Sequence, residues 1–160
     1  MGQNQAATME PSFLEGFEAR APIAFGSMPE LGIHLFSVEK ALGRIDELET
    51  LLSDAERARA AQIGHTNRRN AYAASRGLLR SALSAASKGV VPVSAWQFGL
   101  GSHGKPFVAT PQGAGLRFSL SYTATLIAIA ISPKFELGVD IELVPGTISE
   151  VPWQVLTQAE

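Results

Sequence analysis

The chain has 160 residues, 46% apolar, 18% charged and 8% aromatic, the balance of a soluble globular domain and not of a disordered tail. Thirteen Lys and Arg against fifteen Asp and Glu give a formal net charge of -2, so nothing global argues for nucleic acid or a membrane surface as partner. Cysteine is absent, which removes disulfides, zinc ribbons and thiolate chemistry together and makes a reducing cytoplasm the simplest address. The longest apolar run, Leu126 to Ile131, is far short of the roughly 20 residues of a membrane span, and Met1 to Glu10 has no basic stretch leading into a hydrophobic segment, so no export or anchoring is expected.

Residues 1–30 are rich in Gly, Pro, Gln and Glu and read as a weakly ordered leader, with Phe13 and Phe17 as the side chains able to dock on the body. Order is expected from Leu31. Gly32 to Val38 is a β-rich run bounded by Pro29 and Glu39 and predicts a strand. Ser53-Asp54-Ala55-Glu56 is an S-x-x-E capping box, which predicts a helix from there to about Ile63. A longer helix is expected over 67–86: Tyr72, Leu78, Leu79 and Leu83, with Ala71, Ala82 and Ala86, recur at three- and four-residue intervals and form one apolar stripe. Arg69, Arg76 and Arg80 share another face of that helix, and Lys88-Gly89 supplies a cation and a left-handed cap at its end.

After Pro92 the pattern shifts to period two and short apolar runs. Trp96–Phe98, Pro106–Val108, Leu116–Leu120, Leu126–Ser132 and Leu137–Val144 predict strands, separated by Gly-, Pro- and Ser-rich turns. Strand, two helices and then a run of strands is an α+β arrangement: a largely antiparallel sheet covered by an amphipathic helix. Leu156-Thr157-Gln158-Ala159-Glu160 repeats the capping-box form of residues 52–56 and announces another helix start.

Gly138-Val139-Asp140-Ile141-Glu142 is the sharpest local feature. On a strand, residues two apart project together, so the Asp140 and Glu142 carboxylates converge while Val139, Ile141 and Leu143 face the core. Two oxygen ligands suit Mg²⁺, which fills its octahedron with water and phosphate oxygens; an ordinary solvated strand face has the same pattern.

Arg57, Arg59, Arg68, Arg69, Arg76 and Arg80 fall within 24 residues (57 to 80), whereas residues 118–160 hold one base, Lys134, and five acids. Guanidinium forks bind phosphate bidentately, so the cluster suits a polyanion as well as it suits a solvated helix surface. Arg76 stands among Ala73, Ala74, Gly77 and Leu79, a small-residue neighbourhood in which a long cation needs a partner. Gly104-Lys105-Pro106-Phe107 is a turn that presents Lys105, and Ser119-Leu120-Ser121-Tyr122-Thr123 is hydroxyl-rich at a strand end. No Gly-rich phosphate loop, HExxH or nucleophile elbow is present, and His34, His65 and His103 lie in unrelated contexts.

Taken in order, Tyr72 to Arg80, Gly104 to Phe107, Phe118 to Thr123 and Gly138 to Glu142 resemble one family over about residues 31–145: the two-lobed 4'-phosphopantetheinyl transferases of the surfactin-synthetase-activating type. The resemblance implies one lobe of a pseudo-two-fold fold, and transfer of the phosphopantetheine arm of coenzyme A, with Mg²⁺, to a serine of an acyl or peptidyl carrier protein. Adenosine 3',5'-bisphosphate is released. It further implies that Asp140 and Glu142 hold the metal and that Arg76, Arg57 and Arg59 grip the 3'-phosphate. Lys105 and Pro106 fall at the adenine end, and Ser121 and Tyr122 at a phosphate-contacting Ser-His. Tyr122 in place of His still donates a hydrogen bond but carries no positive charge near neutral pH.

The family's W-x-x-K-E-A segment, with a third carboxylate and a catalytic lysine, would lie beyond Glu160, so the catalytic base is not among these residues. The resemblance thus divides the chain into a leader (1–30), a first lobe (31–145) and a linker with the truncated start of a second lobe (146–160). Such a lobe is expected to transfer little by itself and to self-associate through its exposed lobe interface. A non-catalytic module binding coenzyme A or a carrier protein is the rival reading. A nucleic-acid-binding domain fits less well, because the arginines have no interleaved aromatics.

Overall fold

A computed structural model describes residues 12–24, 31–111 and 115–143. The expectations for residues 1–11 and 25–30, and those for 144–160, including the second capping box, lie outside the described residues.

The chain begins with a short helix, α1 (Ser12–Glu15), and a strand, β1 (Glu18–Ala24), then continues through β2 (Gly32–Ser37), α2 (Val38–Leu42) and α3 (Ile45–Thr50). Helices α4 (Asp54–Ala61) and α5 (Thr66–Ala86) follow, then a single 3₁₀ turn over Val93–Ala95. Strands β3 (Gln97–Leu100), β4 (Pro106–Thr110), β5 (Arg117–Tyr122) and β6 (Leu126–Ser132) complete the fold. Four strands pair antiparallel in the order β1-β2-β6-β5, and β3 and β4 form a separate hairpin. The architecture is α+β with antiparallel sheets and helices, as the sequence pattern indicates. No helix among the described residues is long and apolar enough to cross a membrane.

Order begins earlier than Leu31. Residues 18–24 contain Pro22 and charged residues, a composition that argues against a central strand, but β1 lies at the sheet edge, where a missing N–H does not interrupt a ladder on both sides. Phe17 docks as expected and is fully buried, while Phe13 packs against the core; the Arg44 guanidinium lies over both rings.

The core sits between α5 and the four-stranded sheet. Ile127, Ile129 and Ile131 of β6 and Phe118 of β5 pack with Leu78, Leu79 and Leu83 of α5, closed by Phe36, Leu48 and Trp96. The Trp96 indole donates to Ser84 Oγ at 2.8 Å, which satisfies the one polar atom of that ring. From Ala73 to Ser84, α5 is buried around its whole circumference except at Arg76, a consequence of small residues at 73, 74, 75, 77, 81, 82 and 84. Gly77 shows how close the packing is: a Cβ there would stand 2.8 Å from the carbonyl oxygen of Leu48, so α3 crosses α5 at glycine contact. The expectation of one apolar stripe with the arginines on another face therefore needs correction, because Arg80 is as buried as the leucines. At the helix end Lys88 and Gly89 are both left-handed, and the Gly89 amide donates back to Ser84 O at 3.0 Å.

The strand expected over Leu137–Val144 does not form among its described residues. Residues 135–143 have no regular secondary structure, although their burial alternates: positions 137, 139 and 141 are half-buried and 138, 140 and 142 exposed. The segment lies along β5, yet the amides of Val139 and Ile141 donate to the hydroxyls of Ser119 and Ser121 where a ladder would offer carbonyls. Leu143, expected to face the core, is 59% exposed.

Candidate functional site

The capping box forms in full. Ser53 Oγ accepts from the Glu56 amide at 3.3 Å, and Glu56 Oε2 accepts from the Ser53 amide at 2.9 Å and from Ser53 Oγ at 3.0 Å. The same Oε2 accepts from Arg80 Nε at 2.7 Å, so one carboxylate oxygen caps α4 and joins it to α5. Arg80 also donates through Nη1 to Val93 O at 2.9 Å, and its guanidinium lies 5.4 Å from the Phe98 ring centroid. Glu56 is the residue that sequence spacing misses. Its capping role is legible, but its second use, as counter-ion to a buried arginine 24 positions later, is a tertiary contact.

These groups wall a cleft of about 490 Å³ formed by the start of α4, by Tyr72, Arg76 and Arg80 of α5, and by Gln97 and Phe98 of β3. Arg76 is half-buried, one turn before Arg80, and has no carboxylate partner among the described residues. Its guanidinium rests on the rings of Tyr72 (5.3 Å) and Phe98 (5.9 Å), and its buried Nε has no hydrogen-bond partner among the described residues. A cation held by aromatic faces and left with unused donors is equipped for an anion. Arg57 and Arg59 are not part of this wall. Arg57 lies on the exposed side of α4, donating to Glu49 O and Asp54 Oδ1, and Arg59 reaches Gln62. Arg68 is exposed and Arg69 half-buried near the start of α5.

A second cleft, also about 490 Å³, lies on the β4 side of the hairpin, between residues 105–109 and Leu116, Arg117 and Phe118. Lys105 and Pro106 line it, as does Phe107, half of whose side chain is exposed. Gly104 supplies the positive φ of the hairpin turn. Lys105 does not project freely from that turn: its ammonium donates to Leu137 O at 2.7 Å and stands 3.5 Å from Glu136, which also pairs with Arg117 at 2.8 Å. The hairpin thus contributes β3 to one cleft and β4 to the other, and Lys105 ties it to the segment that carries the carboxylates.

On that segment Asp140 Oδ1 accepts from Ser121 Oγ at 2.7 Å and from the Ile141 amide at 3.0 Å. Asp140 and Glu142 are both exposed, at alternate positions of a segment whose burial alternates. A pair of hard oxygen donors with no cation beside them among the described residues fits Mg²⁺, which commonly takes one or two protein carboxylates. No group of three or more His, Cys, Asp or Glu able to hold a metal occurs among the described residues. Tyr122, at the end of β5, is 46% exposed.

No protein-family model matches the chain. It is 30% identical over 118 residues, 72% of its own length, to the 4'-phosphopantetheinyl transferase HetI of Nostoc sp.. The match supports the phosphopantetheinyl transferase family. The chain spans about half the length of this curated relative, 49% of it.

Proposed function

We propose that the chain is the coenzyme A-binding first lobe of a two-lobed phosphopantetheinyl transferase of the surfactin-synthetase-activating type, working in the cytoplasm on an acyl or peptidyl carrier protein. The observation that carries this reading is the Arg76 cleft, a half-buried cation with unused donors, in a sequence where the turn and the carboxylate pair follow in the family's order. Arg76 would hold the 3'-phosphate, and Arg57 and Arg59, outside the cleft wall and engaged with Glu49, Asp54 and Gln62, would add no more than screened long-range attraction. Lys105 and Pro106 would shape the adenine end. Asp140 and Glu142 would hold Mg²⁺, which neutralises charge on the coenzyme's pyrophosphate when bound.

The reaction forms a bond between the carrier serine oxygen and the phosphorus next to pantetheine, and breaks the bond from that phosphorus to adenosine 3',5'-bisphosphate. The serine proton goes to a base that the described residues do not supply. Positioning and charge stabilisation dominate phosphoryl transfer, so a lobe with two of the expected carboxylates binds better than it turns over. Joined to a second lobe of this type, the chain is expected to modify an apo carrier protein in the presence of coenzyme A and Mg²⁺, read as a phosphopantetheine mass gain. A folded two-lobed protein that binds coenzyme A and leaves every carrier unmodified would favour the non-catalytic binding module.

A further inference from the structure

Ser119 and Ser121 stand two apart on β5, opposite Ala130 and Ala128 of β6, and so share one face of the sheet. Val139 and Ile141 stand two apart on the neighbouring segment. Ser119 Oγ accepts from the Val139 amide at 3.0 Å and Ser121 Oγ from the Ile141 amide at 3.3 Å. Two hydroxyls thereby replace two rungs of a β-ladder and fix the register of residues 138–142, which decides that 140 and 142 face outward.

The two serines differ in one respect. Ser121 also donates its proton to Asp140 Oδ1 at 2.7 Å, whereas Ser119 makes no such contact with a carboxylate. A serine hydroxyl has one proton, so while Ser121 holds Asp140 it has none to give a phosphate oxygen. Asp140 Oδ1 is occupied by two donors, the Ser121 hydroxyl and the Ile141 amide, and Oδ2 by none among the described residues. The carboxylate is therefore pinned through one oxygen and presents the other.

We infer that Ser121 is a positioning residue for Asp140, orienting its free oxygen toward a divalent cation. The inference rests on the proposal that Asp140 and Glu142 hold the metal. Hydrogen-bond partners of ligating carboxylates commonly set affinity by about 10- to 100-fold, which is the scale expected here. Ser119 supplies the internal control, since it holds the same segment without touching a ligand.

The test titrates the full chain with Mn²⁺ and follows loss of the free-ion electron paramagnetic resonance signal. Melting curves confirm that each variant is folded. Asp140→Asn is expected to abolish the binding and Ser121→Ala to weaken it about 10-fold. Ser121→Thr, which keeps the hydroxyl, should restore it, and Ser119→Ala should stay within about two-fold of wild type. Binding that is lost in Asp140→Asn but unchanged in Ser121→Ala overturns the positioning role alone. Equal losses in Ser121→Ala and Ser119→Ala also overturn it, reducing Ser121 to a tie for the segment. If no Mn²⁺ binding depends on Asp140, the metal proposal itself fails and takes this inference with it.

Discussion

The wall formed by α4 and α5 and the segment over 137–142 both carry charge, and they hold it in opposite ways. In the wall, Glu56 and Arg80 are buried, and the oxygen they share accepts three hydrogen bonds, two of them from the helix cap. On the segment, Asp140 and Glu142 are exposed on irregular backbone held to β5 by serine hydroxyls. Burial with a counter-ion identifies charges that maintain the fold, since a buried ion without its partner is costly, even though Glu56 Oε1 finds no hydrogen-bond partner among the described residues. Exposure with unused oxygens identifies charges that the fold can spare for a ligand. Arg76 lies between the two: half-buried like a structural residue, yet without a carboxylate among the described residues.

The sharpest way to break this contrast is to remove Arg80. Arg80→Ala leaves Glu56 buried with its counter-ion gone and is expected to cost about 3–5 kcal/mol of stability, measured by denaturant unfolding. A loss below about 1 kcal/mol would mean that the wall is not held by the pair. Gly77→Ala comes next. Alanine is the better helix former by about 1 kcal/mol, but its Cβ meets the Leu48 backbone at 2.8 Å, and a net loss of about 1–3 kcal/mol is expected. A stabilised variant would show that α3 moves aside freely.

Asp140→Ala inverts the pattern. It is expected to change stability by no more than about 0.5–1 kcal/mol, because the site is exposed, while abolishing carrier modification in a two-lobed protein. Normal turnover with Mg²⁺ would remove Asp140 from the metal site. The chain alone should give no useful transfer in the same mass assay, and should self-associate on sedimentation, with Leu100, Phe107 and Leu143 exposed to water. Rapid stoichiometric modification by the chain alone would show that its own residues supply the base.

The smallest expected effect is a pH dependence within the sheet. His34 lies in β2 with Nδ1 unpaired, 3.8 Å from Glu18, too far for a hydrogen bond. Burial holds its pKa below the ordinary value of 6.5, and Glu18 opposes the shift without cancelling it. The unfolded chain therefore binds this proton more readily. The contribution of His34 is fully present above about pH 6.5 and declines as the pH falls below that value. His34→Gln should flatten the fall in unfolding free energy between about pH 6.5 and about pH 5 relative to wild type; parallel curves would show that His34 titrates normally.

What the sequence discloses follows the range of each interaction. The capping box at Ser53 and Glu56 is a four-residue pattern, and it is read down to the donor and acceptor atoms. Helix α5 and strands β2 to β6 carry periodicity or turn chemistry long enough to register. Helices α2 and α3, of 5 and 6 residues, are shorter than two turns and give no period to detect. The burial of Arg80 was hidden because spacing placed it with Arg69 and Arg76, yet the ring of Ala, Ser and Gly from 73 to 84 is a signal that this helix is packed on every side. The segment 137–142 shows the reverse case: its alternation is real and visible in burial, but its amides find serine hydroxyls, and a ladder cannot be inferred from alternation. Ser119 and Glu136, which brace the segment and the hairpin, are evident only in three dimensions.

The most direct test of the proposed site compares coenzyme A with dephospho-coenzyme A, by calorimetry, on the wild-type chain and on Arg76→Ala. A charge-assisted contact to the 3'-phosphate is worth about 1.5–3 kcal/mol, so wild type should prefer coenzyme A by about 10-fold or more, and Arg76→Ala should lose most of that preference. Equal affinity of the wild type for the two ligands, or a preference that survives in Arg76→Ala, would contradict the assignment of this cleft.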